Sequence, residues 1–160
     1  MTLTIQRLQP AHERALAALF ATIAADPAAA NFHPHVFSAA SARDIAGWQG
    51  KDIYLGLWAD GDLCGYGLLR GWDAGFAVPS LGIYLAPAAR GRGLSRPLMT
   101  SLHGHARSSG ADRVRLKVYP DNQAAVRLYE TLGYVFGAME GGQRVGLLDL
   151  MAARDDKGLG

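Results

Sequence analysis

Apolar residues recur along this chain with two periods, and each change of period marks a predicted element. From Thr2 to Leu8, Leu3 and Ile5 alternate with polar neighbours, which predicts a short strand. After Pro10, Leu16, Leu19, Phe20 and Ile23 recur at i, i+3, i+4 and i+7, the spacing of one helix face, and Asp26-Pro27 ends that helix. The stretch Asn31 to Phe37 is irregular. Ser38 or Ser41 is placed to cap a second helix running to about Gln49, with Ile45 and Trp48 facing inward. Asp52 to Ala59 and Leu63 to Trp72 read as two strands around the turn Asp60-Gly61-Asp62, an antiparallel hairpin. Gly65, Gly67 and Gly71 in the second of these point to a bulge or to close packing on a neighbour. Pro79 then leads into a strand, Ser80 to Leu85.

A helical period returns at about Leu94, with Leu98, Met99, Leu102 and Ala106 on one face and Gly110 suited to the C-terminal cap. His103 and His105 on this helix read as packing or solvent-facing. Val114, Leu116 and Val118 alternate with Arg113, Arg115, Lys117 and Tyr119, and Pro120 stops that strand. Asp121 or Asn122 caps a last helix with Ala125, Leu128 and Leu132 inward. Tyr134 to Met139 and Val145 to Met151 form a closing hairpin over Gly141-Gly142. The order β-α-α-β-β-β-α-β-α-β-β predicts an α+β fold: a mixed, mostly antiparallel sheet of about seven strands flanked by about four helices. The connection from Leu85 to Val114 would be its parallel crossover. Residues 1–153 read as a single domain and 154–160 as a frayed tail.

Composition narrows the chemistry. A chain of 160 residues, 49% hydrophobic and 19% charged, is that of an ordinary soluble domain. No apolar run approaches the ~20 residues of a membrane span, and the N-terminus lacks a signal-peptide pattern. With Cys64 as the single cysteine, a cytoplasmic location is expected, and an internal disulfide or a cysteine-based zinc cluster is excluded. No metal is expected. Charge is uneven: seven of the 16 basic residues but one of the 14 acidic residues fall between Arg90 and Lys117. Nucleic acid is not the expected partner of this window, because it lacks interleaved aromatic side chains.

The window opens with Arg90-Gly91-Arg92-Gly93-Leu94-Ser95-Arg96, a basic, glycine-rich loop between a strand and a helix. Glycines let backbone N–H groups approach a ligand, and the first helical turn leaves N–H groups unpaired and partially positive. That combination suits a phosphate or pyrophosphate. Pro97 lies in the first helical turn, where its missing N–H costs little.

The loop resembles the R/Q-x-x-G-x-G/A signature of the GNAT acyl-CoA-dependent N-acyltransferases. Asn122 to Tyr134, NQAAVRLYETLGY, resembles that family's second element, N-x-x-A…LYxxxGF. The two stand in the family's order and separation, and the predicted element order is the family's own. Ser95 departs from the pattern, standing where Gly or Ala is usual.

The resemblance implies acetyl-CoA as cofactor, gripped by Arg90, Gly91, Arg92, Gly93, Leu94, Ser95 and Arg96, with Asn122 contacting it. It implies a pantetheine arm laid between the ends of the fourth and fifth strands, here Ile83–Leu85 and Leu116–Tyr119. Backbone N–H groups at Tyr84 or Leu85 would polarise the thioester carbonyl. Tyr129 matches the family's tyrosine and would be the general acid for the leaving thiolate. The family's usual Glu on or near the fourth strand is absent, so the general base stays open among His35, His33, Asp73, Glu130 and ordered water. Trp72 and Phe76 are candidate acceptor contacts, and Arg70 reads as an ion-paired residue or as a contact for an anionic substrate. The stretch 68–83 resembles family members of sugar and polysaccharide biosynthesis, which implies an amino sugar or sugar nucleotide as acceptor. The expected reaction is direct transfer of an acetyl group to a small-molecule primary amine in a ternary complex. A binding or sensing module without catalysis, and transfer to a protein amine, are the alternatives. A homodimer is compatible with this reading.

Overall fold

The computed structural model describes residues 1–151; the expected tail and the end of the expected domain lie outside the described residues. Seven strands form one sheet: β1 (Leu3–Arg7), β2 (Ile53–Ala59), β3 (Asp62–Arg70), β4 (Ser80–Leu85), β5 (Arg113–Val118), β6 (Val135–Glu140) and β7 (Gln143–Asp149). Four helices accompany them: α1 (Glu13–Ala25), α2 (Ala39–Ala46), α3 (Ser95–Ser108) and α4 (Gln123–Thr131). The strand order is β1-β2-β3-β4-β5-β7-β6, antiparallel throughout except where β4 meets β5.

Each helix buries the face that its period predicts. Leu16, Leu19, Phe20 and Ile23 of α1 are buried, as are Leu98, Met99, Leu102 and Ala106 of α3. Ser38 caps α2 by accepting from the Ser41 N–H, while the Ser41 hydroxyl accepts from the Ser38 N–H. The two faces of the sheet carry separate cores. One joins Leu55, Leu57, Leu69, Leu81, Val114 and Leu116 to α3, with Tyr129 of α4, and Leu132 just after that helix, packed against it. The other joins Tyr54, Tyr66, Leu68 and Tyr84 to α1 and α2.

Of the expected glycines, Gly65 and Gly67 are close approaches: a Cβ at Gly67 would lie 2.8 Å from Leu102 Cδ1, so α3 seats directly on β3, and one at Gly65 would lie 2.8 Å from Leu85 Cδ2 and 2.9 Å from the Tyr84 carbonyl oxygen. The bulge lies beside Gly65: Leu57 and Trp58 of β2 pair with Gly65 and Leu63, which leaves Cys64 of β3 as the extra residue. Two tryptophans correct the sequence reading. Trp48 lies beyond the end of α2 and is 41% exposed, because its indole N–H donates to Asp73 rather than entering the core. Trp72 lies in a 3-10 turn after β3 instead of at its end. On α4, Val126 is the buried residue, and Ala125, Leu128 and Leu132 are only partly covered.

Candidate functional site

The site begins with a sheet that opens. Strands β4 and β5 are paired only at Ser80 and Arg115. Ala86 donates its N–H to Cys64 O, so by antiparallel alternation the pairs Tyr84/Tyr66, Gly82/Leu68 and Ser80/Arg70 exchange hydrogen bonds between β4 and β3. Backbone groups of Ile83 and Leu85 therefore point the other way, toward β5. On β5 the Leu150 N–H donates to Asp112 O, which assigns Val114, Leu116 and Val118 to β7 and turns Lys117 toward β4. The result is a gap with backbone donors and acceptors on both walls. This separates two candidates: the Leu85 N–H faces the gap, and the Tyr84 N–H is used by β3.

A cleft of about 1290 Å³ runs through this opening. Its walls include Phe32 and His33 from the α1–α2 connection, Phe76 from the β3–β4 loop, Ile83, Tyr84 and Leu85, Ser95 at the start of α3, and Asn122 and Tyr129. At its mouth stands the basic loop. Gly91 and Gly93 have φ of 73° and 71°, and an added Cβ at either would meet nothing within 4 Å, so the ground in front of the loop is open. Leu94 anchors the loop by burying its side chain in the α3 core. Among the described residues the backbone N–H groups of Arg92 to Arg96 have no protein acceptor. These N–H groups and the helix dipole form a cradle for an anion.

The loop arginines have protein partners. Arg90 pairs with Asp26, donates through Nε to Leu85 O at 3.0 Å, and lies over the Tyr84 ring. Arg96 donates to Thr131 Oγ1 at 3.2 Å, tying α3 to α4. Arg92 reaches Met1 Sδ. The arginines hold the loop, and the amides remain for a ligand. Asp26 is the residue that sequence reasoning missed. Its carboxylate accepts from the Tyr84 hydroxyl at 2.8 Å and from Arg90, and those bonds hold it below the usual carboxylate range. Burial, and then the bond to Asp26, push the Tyr84 phenol up to about 12. Asp26 lies 64 residues from Arg90, and Asp-Pro reads locally as a helix end and nothing more.

Tyr129 lines the cleft from α4, and its hydroxyl meets no protein donor or acceptor among the described residues. Burial raises its phenol, so it holds its proton at neutral pH. Asn122 also lines the cleft, but its side-chain oxygen caps α4 by accepting from the Ala125 N–H at 3.3 Å.

The candidate bases are dispersed. Asp73 accepts from the N–H groups of Lys51 and Asp52 and from Trp48, is held below the usual range by those bonds, and does not line the cleft. Its work is to close the turn before β2. His35 lies behind the wall. Its Nδ1 contacts Val36 O at 2.7 Å, and a carbonyl only accepts, so Nδ1 carries the proton and Nε2 accepts from the Tyr66 hydroxyl at 2.5 Å. Burial lowers its pKa and keeps it neutral. Glu130 is exposed on α4, away from the cleft. Of the four named side chains, His33 alone lines it. Trp72 does not line the cleft; Phe76 does, and is exposed there.

Residues 17–134 match the Acetyltransferase (GNAT) family. The chain belongs to the GNAT family. Among curated GNAT relatives, streptothricin acetyltransferase of Streptomyces lavendulae is 30% identical over 100 residues, covering 59% of this chain and 52% of that protein. Mycothiol acetyltransferase of Paenarthrobacter aurescens is 31% identical over 124 residues, covering 72% of this chain and 38% of that protein. The chain thus spans about half or less of the length of these relatives. Among solved structures, the PaiA N-acetyltransferase of Thermoplasma acidophilum in complex with coenzyme A superposes with a TM-score of 0.73 at 18% identity. That match covers 93% of this chain and 99% of the other. The GNAT domain of S. lividans PAT gives 0.77 at 16% identity, covering 93% and 91%. At these identities the structures establish the GNAT fold. No helix among the described residues is long and apolar enough to cross a membrane.

Proposed function

We propose that this chain transfers the acetyl group of acetyl-CoA directly to a primary amine of a small molecule, both substrates bound together. The observation that carries the reading is the gap between β4 and β5, with backbone groups turned into it, ended by a cradle of unused amides and walled by an unpartnered phenol. A cofactor with two peptide-like amides in its arm and phosphates at one end fits that gap as an added strand would. The names of relatives point the same way: two are acetyltransferases, and one solved fold neighbour is a complex with coenzyme A.

Acetyl-CoA supplies the acetyl group in activated form, as a thioester. The N–H groups of Arg92 to Arg96 are suited to bind its phosphates, and Ile83, Leu85 and Lys117 to orient its arm through backbone bonds. The Leu85 N–H is the donor suited to the acyl oxygen. Tyr129 Oη holds a proton for the departing sulfur. His33 is the side chain suited to take the amine proton, directly or through water. The alternative of a binding module without catalysis is disfavoured by Tyr129, whose hydroxyl lines the cleft with no hydrogen-bond partner among the described residues.

A panel of amino sugars, amino acids, polyamines and other small amines, offered with acetyl-CoA and read by release of free thiol, tests the reading. Amine-dependent thiol release with one acceptor class is the expected result. Tight CoA binding with no acceptor-dependent release across the panel would favour the binding module.

A further inference from the structure

The other face of the opened sheet carries a row of polar residues that the reading above leaves unused. Arg70 on β3 is the register partner of Ser80 on β4, and Ser80 is the register partner of Arg115 on β5. Three adjacent strands therefore place Arg, Ser and Arg side by side, with the two arginine Cα atoms roughly 10 Å apart at ordinary strand spacing. Alternation assigns all three to one face. Leu69, Leu81, Val114 and Leu116 pack toward α3, so Arg70, Ser80 and Arg115 take the face of Leu68 and Tyr84, toward α1 and α2. All three line the cleft.

The charge of this row is poorly neutralised. Arg70 donates to the backbone carbonyl of Pro34, a neutral acceptor, and forms no ion pair among the described residues. Arg115 pairs with Glu140, whose side chain is 47% exposed, and such pairs are weak and exchangeable. Lys117, two residues along β5 on the same face, also lines the cleft and forms no ion pair among the described residues. The carboxylate on the cleft wall among the described residues is Asp52, which is buried and accepts from the N–H groups of Gly71 and Asp73. The row is also remote from the phosphate cradle. It lies at the paired end of β4, five residues and roughly 16 Å from Leu85, and on the face opposite α3.

We infer that Arg70, Ser80 and Arg115 bind an oxyanion carried by the acceptor, so that the substrates are amines bearing a carboxylate or phosphate group. Two arginines flanking a serine in strand register supply donors that match the acceptor-only oxygens of such a group. The inference rests on the acetyl-transfer reading, in which the cofactor fills the opened end of the cleft and leaves the paired end at Ser80 and Arg115 to the acceptor.

The test is calorimetric binding to the CoA-loaded protein, using two matched pairs that separate phosphate from carboxylate. These are O-phosphoethanolamine against ethanolamine, and β-alanine against β-alaninamide. At least one anionic member is expected to bind at least 10-fold tighter than its neutral mate, and which pair shows it identifies the oxyanion. Arg115→Gln and Arg70→Gln should each reduce that preference at least 10-fold without changing CoA affinity, and Arg70→Lys should retain part of it. Arg115→Gln removes only an exposed pair and keeps the test valid if Arg70→Gln fails to fold. Equal binding within both pairs, or an undiminished preference in Arg115→Gln, overturns the inference. So does a loss of CoA affinity in these variants, which would assign the row to the cofactor. Arginine-dependent binding of an anionic probe that is never acetylated would support the site and count against the catalytic reading instead.

Discussion

His103 projects from α3 into the core, where its Nε2 lies 2.8 Å from the Tyr134 hydroxyl. Burial lowers its pKa to about 4, so the folded protein holds this imidazole neutral where the unfolded chain, near 6.5, would protonate it. Between pH 6.5 and 4 the unfolded state binds the extra proton, so stability falls as pH falls through that window and is fully present above it. His35 and His105 are shifted in the same direction, also by burial, and add to the slope. The depressed carboxylates Asp26 and Asp73 lose their contribution only at lower pH, below the ordinary value of 3.8. Denaturant melts across pH 4–7 should show stability declining toward acid, and His103→Gln should flatten that decline by up to about 1.4 kcal/mol per pH unit. An unaltered slope in His103→Gln would mean that the ring is solvated when folded. Sequence placed His103 and His105 together as packing or solvent-facing; the pairing of His103 with Tyr134, 31 residues on, is what separates them.

At the scale of elements the chain was easy to read, because period and punctuation act locally. Pro10, Asp26-Pro27, Ser38, Gly110 and Pro120 all lie at or next to an element boundary, and β4 runs from Ser80 to Leu85 as its pattern predicts. The tryptophans were harder, because a large apolar ring with a polar N–H is satisfied at a core edge as well as inside it. Trp48 took the edge through its bond to Asp73. The basic loop was legible in its glycines and misleading in its arginines: Arg90 and Arg96 fasten the loop to Asp26 and Thr131, and the amides face outward. Replacing Gly93 by Val tests this. Its φ of 71° and the empty space before it mean that a branched side chain would stand where a phosphate approaches. CoA affinity by calorimetry should fall at least ~10-fold, since the substitution removes close backbone approach and strains a left-handed residue. Unchanged affinity in a folded Gly93→Val protein would remove the loop as the phosphate site.

The whole molecule makes a site that no single segment contains. Motif spacing brought out the loop, Asn122 and Tyr129, and strand pattern brought out β4 and β5. The cleft between them depends on β4 and β5 pairing at Ser80 and Arg115 alone, a property of sheet geometry that no local pattern encodes. The same holds for Asp26 against Arg90 and for the row Arg70, Ser80, Arg115, whose members are neighbours only in the folded sheet. Dispersal of the candidate bases is likewise tertiary: His33 and His35 differ by two residues, and one lines the cleft while the other is locked to Tyr66 behind it. The central claim is that this cleft performs acetyl transfer with Tyr129 as the proton donor. Single-turnover acetyl transfer to the best amine, measured beside CoA affinity for wild type and Tyr129→Phe, tests it most directly. The account predicts a chemical step slowed by ~10²–10⁴-fold with CoA affinity little changed, because the ring stays and only the proton is lost. An unchanged rate in Tyr129→Phe, or a rate that falls only in step with CoA affinity, would contradict it.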